Sequence, residues 1–419
     1  MKLNYGRTFL LGLGFLGVNA IWAIYGQFVP SFLEKKFHLA PIFLAFFMTL
    51  DNIASLLIQP PIGAWSDKLR TPIGRRMPFI MVGAPVAALA FLFIPVAPVL
   101  PLFVVCTMSL LISMAFWRTP AVALIADVTP SPLRSQASAV ISVMGGLGGV
   151  IALAGGAALF KFNPAYPFWF GSVIVVVSAA LLLIFVREPK VYDAEVVEVD
   201  KSAPNFWQTL VSVCRDRSVL YMLLSTFFLM LSYTAIEGTF PLFASNRLGL
   251  TEGQSAGLMA QLIFVFMIFA LPSGYLGARI GRKSTVSFGL LAMAVVFFAI
   301  FVTSPALLKR PVFWISNGFS VSLLALLLMV AGVCWALIIV HLLPMLSDMT
   351  DGSQIGAYTG LYYFVTSLAA IAGPLLNGGL VQVTGNYNAV MLLSSITLVV
   401  AFALMLCVHR GESVSKLKE

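Results

Sequence analysis

Apolar residues do not recur along this chain with the 3.6-residue period of a half-buried helix or the two-residue period of a half-buried strand. They come in nearly unbroken runs, each bounded by short polar connections. A helix needs roughly 20 apolar residues to cross the hydrocarbon of a bilayer. Twelve runs meet that length, approximately 8–33, 40–64, 78–98, 101–127, 137–160, 167–187, 219–244, 255–277, 284–304, 321–347, 356–381 and 389–409. Helices that are apolar on every side are buried or lipid-facing all round. The pattern therefore predicts an all-α membrane protein, and an even number of spans puts both termini on one side.

The longest polar stretch, "EPKVYDAEVVEVDKSAPNFWQTLVSVCRDR" at 188–217, falls near the middle. It divides the chain into a six-helix half at 1–190, a linker at 191–217 and a second six-helix half at 218–419. The halves read as copies. "IYGQFVPSFL" (24–33) matches "IEGTFPLFAS" (236–245), and "PIGAW" (61–65) matches "PSGYL" (272–276). The latter pair is followed by Gly-Arg-basic triplets at 74–76 and 281–283, and "ALIADVT" (123–129) matches "PMLSDMT" (344–350). Apolar helices can resemble one another by composition alone, but these matches involve Gly, Pro, Asp and Arg at helix ends. Two pseudo-symmetric six-helix bundles are the architecture of an alternating-access transporter, with the site between them near mid-membrane.

Composition agrees. Charged residues make up 10 % of the chain, hydrophobic residues 60 %, and the mean hydropathy is +0.99. An average soluble domain carries about 25 % charged residues. The net charge of +9 does not point to nucleic acid, because the basic residues sit in loops between apolar runs. Placing both termini in the cytoplasm puts eighteen Lys and Arg on that face and six on the other, as the positive-inside rule requires. The four cysteines are scattered, with neither disulfide nor metal spacing. The first run follows Lys2 and Arg7, and "VNA" at 18–20 mimics a cleavage site. The run continues to about Leu33 and has a copy later in the chain, so cleavage is not expected.

Charge gathers at two places where runs end. Asp67 and then Gly74-Arg75-Arg76 follow the second span, Asp127 ends the fourth and Arg134 opens the fifth. In the second half Arg279, Arg282 and Lys283 follow the eighth span and Asp348 ends the tenth. Arginine forks suit carboxylates. The expectation is a cytoplasmic gate in which Arg75 or Arg76 pairs with Asp127, and Arg279 or Arg282 with Asp348. The rival reading is solvated charge obeying topology alone.

The stretch "IQPPIGAWSDKLRTPIGRRMPFI" (58–80) resembles the loop signature of the major facilitator superfamily. In its longer form it resembles that of the sucrose–proton symporters within the glycoside–pentoside–hexuronide cation symporters. "TPAVALIADVT" (119–129) is similar to that branch's fourth span, and "GVNAIWAIYGQFVPSFL" (17–33), with Trp22, to its first. The likeness is strong in the first half and reaches only superfamily level in the second. It implies a sugar–cation symporter, commonly proton-coupled, for disaccharides or glucosides such as sucrose or maltose. Departures exist. The plant proteins have arginine where this chain has Val122, and here Arg118 lies one turn earlier. They also lack the acid at Asp51, and the melibiose-type relatives carry an acid where this chain has Gln59. The missing sodium-site acids favour protons.

Asp51 lies within an apolar run, roughly 18 Å in helix rise from Gly63, and Arg118 roughly 13 Å from Asp127. Intramembrane charges are costly and normally mark a substrate or proton path. Asp51 is read as the proton carrier, with Ser55 and Gln59 one and two turns below it on roughly the same face. Arg118 is read as a donor to sugar hydroxyls and a partner of ionised Asp51; a static ion pair bracing the helices is the alternative. Glu237, at the copy position of Tyr25, is a second proton-coupling or outer-gate candidate, with a solvated vestibule acid as its rival.

Sugar sites need flat apolar faces and hydroxyl partners. Candidates are Asn19, Trp22, Gln27, Tyr233, Gln261, Trp335, His341, Tyr358, Tyr362 and Asn377. Each aromatic competes with a plain packing role, and His341 with a hydrogen bond inside the bundle. No phosphate loop or hydrolytic triad is present, so neither an enzyme nor a cofactor is expected. The expected partners are a sugar, protons and the lipid bilayer of the plasma membrane, with no nucleic acid, and the chain is expected to be a monomer. A proton-driven exporter of apolar small molecules is the alternative function, and a non-transporting membrane sensor a further one.

Overall fold

The computed structural model describes residues 4–129, 134–186, 188, 216–316, 319–349 and 355–411. Its long helices are α1 (Tyr5–Lys35), α2 (Pro41–Lys68), α3 (Met77–Phe93), α4 (Leu100–Val128), α5 (Arg134–Phe160), α6 (Tyr166–Phe185), α7 (Arg217–Leu248), α8 (Glu252–Ile280), α9 (Arg282–Val302), α10 (Leu323–Asp348), α11 (Ile355–Thr384) and α12 (Ala389–Leu406). Among the described residues eleven are long and apolar enough to cross a membrane, and the twelfth, α3, has 17 residues. The third run was expected to continue to 98. The helix stops at Phe93, just before Pro95 and Pro98, residues that cannot continue the hydrogen-bond ladder.

Local signals set the helix ends. Asn4 caps α1 by accepting from the Arg7 N–H at 3.1 Å. Asp216 caps α7 by accepting from the Ser218 N–H at 3.0 Å. Both are standard ways of satisfying free amides at a helix start. Pro41 opens α2, where its missing N–H costs nothing. The two Gly-Arg-basic triplets share a backbone device: Gly74 has φ 117° and Gly281 has φ 98°, values only glycine adopts readily. Gly74 is required twice over, because a Cβ there would collide with the Glu188 side chain.

The chain divides into two compact units. The first comprises Met1–Ala40, Phe47–Ala194 and Leu250–Ala260, the second Pro41–Phe46, Glu195–Gly249 and Gln261–Glu419. In the first unit α1 packs on α5 and α6, and α3 on α4 and α6. In the second, α7 packs on α11 and α12, and α9 on α10 and α12. Each unit by itself thus has the same neighbour scheme, the tertiary counterpart of the repeated motifs.

Within each unit packing relies on small residues and on hydroxyls that bond across helices. Gly17 of α1 lies against Ser178 of α6. Gly148 of α5 meets the Leu16 carbonyl, so the glycine-rich run 145–150 is a close-packing seam. Ser172 Oγ donates to the Ala88 carbonyl at 2.9 Å, Ser225 Oγ to Ala401 at 2.7 Å and Ser395 Oγ to Ala294 at 2.9 Å. The surface stays greasy, with Leu57, Ile184 and Leu271 largely exposed, as expected where the solvent is lipid.

One element departs from the all-helical expectation. Between α9 and α10 lie a one-turn helix, Pro305–Leu308, and an antiparallel hairpin of β1 (Pro311–Ser316) and β2 (Phe319–Ser322). The tenth run was expected from 321, but Val321 and Ser322 pair in β2 and the helix starts at Leu323. β-branched and aromatic residues at 312–315 favour a strand once outside the membrane.

Candidate functional site

The first unit gathers its polar groups on α1, α2 and α4. Asp51 is half-buried in the middle of α2, and Asn52 Nδ2 donates to its Oδ1 at 2.8 Å. Arg118 of α4 and Tyr25 of α1 both lie within electrostatic reach of Asp51. Among the described residues Arg118 makes neither ion pair nor hydrogen bond. Tyr25 is 2 % exposed and stands edge-on to Trp22, ring centroids 5.7 Å apart. Among the described residues neither the Tyr25 hydroxyl nor the Trp22 Nε1 has a hydrogen-bond partner. Buried donors normally have one, so both remain available to a ligand. Ser55 and Gln59 continue down α2, half-buried. Asn19 is exposed on α1, its Nδ2 donating to the Phe15 carbonyl at 2.9 Å, and Gly145 makes room for its amide.

Gln27 donates from Nε2 to Ser255 Oγ at 2.9 Å. About two helix turns further along α1, Lys35 Nζ pairs with Glu252 at 2.5 Å. Both contacts lie within the first unit.

In the second unit Tyr233 of α7 stacks on Trp335 of α10, centroids 4.2 Å apart and planes 12° from parallel. The Tyr233 hydroxyl donates to Glu237 Oε1 at 3.1 Å, one turn along α7. The exposed carboxylate of Glu237 is thereby tied to the edge of an aromatic platform. Gln261 is half-buried, and its Oε1 has no partner among the described residues. Tyr358 and Tyr362 are buried on α11, the latter packed edge-on against Tyr363.

Two candidates make hydrogen bonds between helices. Asn377 is fully buried and donates from Nδ2 to the Ala235 carbonyl at 2.9 Å and to Thr239 Oγ1 at 3.0 Å. His341 lies 3.3 Å from Ser273 Oγ and 3.1 Å from the Ser273 carbonyl. These side chains join α11 to α7 and α10 to α8. The Asn377 Oδ1 is buried and has no hydrogen-bond partner among the described residues.

The charged ends differ in detail. Asp127 accepts from Arg75 Nε at 3.1 Å and Nη2 at 2.5 Å, and from Arg76 Nε at 2.9 Å. Arg76 Nη1 also reaches Ser66 Oγ. Sequence reading missed Glu188, which accepts from the backbone N–H of Arg76 at 2.9 Å and of Met77 at 3.3 Å and so caps α3. A lone acid after a span gives no local hint of a helix more than 100 residues earlier. In the second unit Arg282 pairs with Asp348, while Arg279 lies over the Tyr275 ring, 4.5 Å from its centroid. The side chains of Asp67 and Arg134 lie outside the described residues. Among the described residues no group of acids, histidines and cysteines could hold a metal ion.

Comparison with known proteins agrees with this frame. The model of the Major Facilitator Superfamily matches residues 11–319 and 262–419. The chain is 25 % identical to Multidrug resistance protein 2 of Bacillus subtilis, over 90 % of this chain and 88 % of that protein. It is also 25 % identical to Sucrose transport protein SUC3 of Arabidopsis thaliana, over 36 % of this chain and 29 % of that protein. The solved nucleoside transporter NupG superposes with a TM-score of 0.70 at 16 % identity, covering 96 % of this chain and 100 % of NupG, a likeness of fold alone.

Proposed function

Because this multi-pass membrane protein belongs to the Major Facilitator Superfamily, we propose that it is a proton-coupled secondary transporter importing a small sugar, a disaccharide or glucoside, across the plasma membrane by alternating access. The observation that carries this reading is the mid-helix pair in the first unit. Asp51 and Arg118 sense each other's charge without forming an ion pair, next to the unpartnered Tyr25 and Trp22 donors. A carboxylate and a guanidinium that interact without an ion pair can change partners as the carboxylate gains or loses a proton.

In this reading protonated Asp51 leaves Arg118 free to donate to sugar hydroxyls, and Trp22 and Tyr25 offer further donors. After the proton leaves, ionised Asp51 competes for Arg118 and the sugar is released. The second unit, taken by itself, carries a stacked Tyr233–Trp335 pair, a flat apolar face of the kind sugars pack on. Glu237 at its edge serves as a second proton site or an outer-gate residue. The Arg75–Arg76–Asp127 and Arg282–Asp348 clusters act as the cytoplasmic gate.

The test is uptake of labelled sucrose and maltose into proteoliposomes under an imposed pH gradient. The native protein concentrates sugar when the gradient is inward. Asp51→Asn still exchanges labelled for unlabelled sugar but no longer concentrates it. Concentrative uptake by Asp51→Asn would end the coupling role. A second reading, a proton-driven exporter of apolar compounds, draws on the likeness to Multidrug resistance protein 2, which spans far more of the chain than the sucrose relative does. Sugar-independent efflux of hydrophobic dyes, with no sugar exchange, would establish it instead.

A further inference from the structure

The connection between α9 and α10 takes no part in the transport chemistry, yet it is the most elaborate loop among the described residues. It holds the one-turn helix and the β1–β2 hairpin in the 20 residues between Val302 and Leu323. Both flanking helices are long and apolar enough to cross a membrane. The hairpin is therefore held at the bilayer boundary, at the end of α9 remote from Arg282. Its first strand is unusually greasy for an exposed element. Trp314 is 71 % exposed, Phe313 57 % and Val312 43 %.

Immediately before them Lys309 and Arg310 are both exposed, and among the described residues no carboxylate pairs with either. These two line a shallow cleft of about 550 Å³ together with Ser304, Ala306 and Leu307. Aromatic side chains beside basic ones, at the level where a span ends, match the chemistry of the bilayer interface. The rings sit among headgroups there, and the cations meet lipid phosphate. A two-stranded hairpin alone is at best marginally stable in water. A surface that covers its aromatic strand removes that weakness.

We propose that the hairpin is an interfacial anchor that binds an anionic phospholipid. Val312, Phe313 and Trp314 insert at the headgroup level, and Lys309 and Arg310 hold the lipid phosphate in the cleft beside Ser304. The covalent placement at a span end, the exposed aromatic strand and the unpaired basic couple all point to the bilayer rather than to a soluble partner.

The test uses the full chain in vesicles of phosphatidylcholine, with or without phosphatidylglycerol. The emission of Trp314, isolated as the difference between the native protein and Trp314→Phe, is quenched by lipids brominated near the headgroup and shielded from aqueous iodide. Phosphatidylglycerol retained by the purified protein in native mass spectrometry weakens about fivefold on Lys309→Gln, and about fivefold more when Arg310→Gln is added, one surface charge at a time. The charge-keeping pair Lys309→Arg and Arg310→Lys retains the lipid, which separates lost binding from lost folding. Iodide quenching of Trp314 without bromolipid quenching would overturn the proposal. So would lipid retention that is unchanged in the neutral variant or equal for phosphatidylcholine.

Discussion

The two charged clusters at the helix ends begin from the same sequence device and finish as different structures. In the first unit Asp127 is 10 % exposed and takes three hydrogen bonds from two arginines, one of them, Arg76, only 4 % exposed. The Glu188 carboxylate accepts from the backbone N–H of Arg76 beside it. In the second unit Asp348 is 37 % exposed, and among the described residues Arg282 alone reaches it, Arg279 having turned onto Tyr275. Burial decides what each cluster is worth. A desolvated arginine left without its acid is strongly destabilising, whereas an exposed pair contributes little. Repetition of a motif therefore does not imply repetition of its energetic role. The first cluster is buried and multiply bonded, and the second is exposed and joined by the Arg282–Asp348 ion pair.

The contrast can be broken experimentally, most sharply by Asp127→Ala. It strands two arginines in a poorly hydrated site and should cost about 3–5 kcal/mol, read as a large fall in the thermal midpoint of the detergent-solubilised protein. A midpoint close to native would show that water reaches the cluster and that the contrast is false. Glu188→Gln comes next. It keeps an acceptor but removes the charge from the start of α3, and about 1 kcal/mol is expected, as for losses at other helix caps. Comparing Glu188→Gln with Glu188→Ala by the same melting assay separates the charge from the hydrogen bonds. Asp348→Asn should be the mildest, below about 1 kcal/mol, with its small effect shrinking further in high salt. If Asp348→Asn destabilises as much as Asp127→Ala, exposure is not what distinguishes the two ends.

Much of this molecule is legible in the residues themselves. Spans announce themselves because lipid demands a long helix that is apolar on every side, and the runs at 8–33 and 389–409 fall on α1 and α12 within a few residues. The glycines opening both triplets, Gly74 and Gly281, carry the left-handed backbone that a tight turn between spans requires. The pairing of loop arginines with Asp127 and Asp348 follows from having few charges and few places to put them.

The remainder was illegible for a physical reason. A helix apolar on all faces has no stripe to say which side meets a neighbour, a cavity or lipid. Asn377 and Tyr233 therefore look alike in sequence, although the amide of one bonds α11 to α7 and the ring of the other lies flat on Trp335. Glu188 and the start of α3 are 111 residues apart and have no local pattern in common. Asn52 passed unnoticed beside Asp51 because its role depends on which carboxylate oxygen it reaches.

The sequence by itself determined the apolar, membrane-type helices, their doubling into two related sets and the positions of charge along the chain. These follow from length, hydropathy and turn chemistry, which act locally. Tertiary structure alone decided which polar groups meet, how deeply each arginine–carboxylate cluster is buried, and that a hairpin stands between α9 and α10. Those outcomes depend on the rotation of each helix about its own axis, and only packing against the neighbouring helices fixes that rotation.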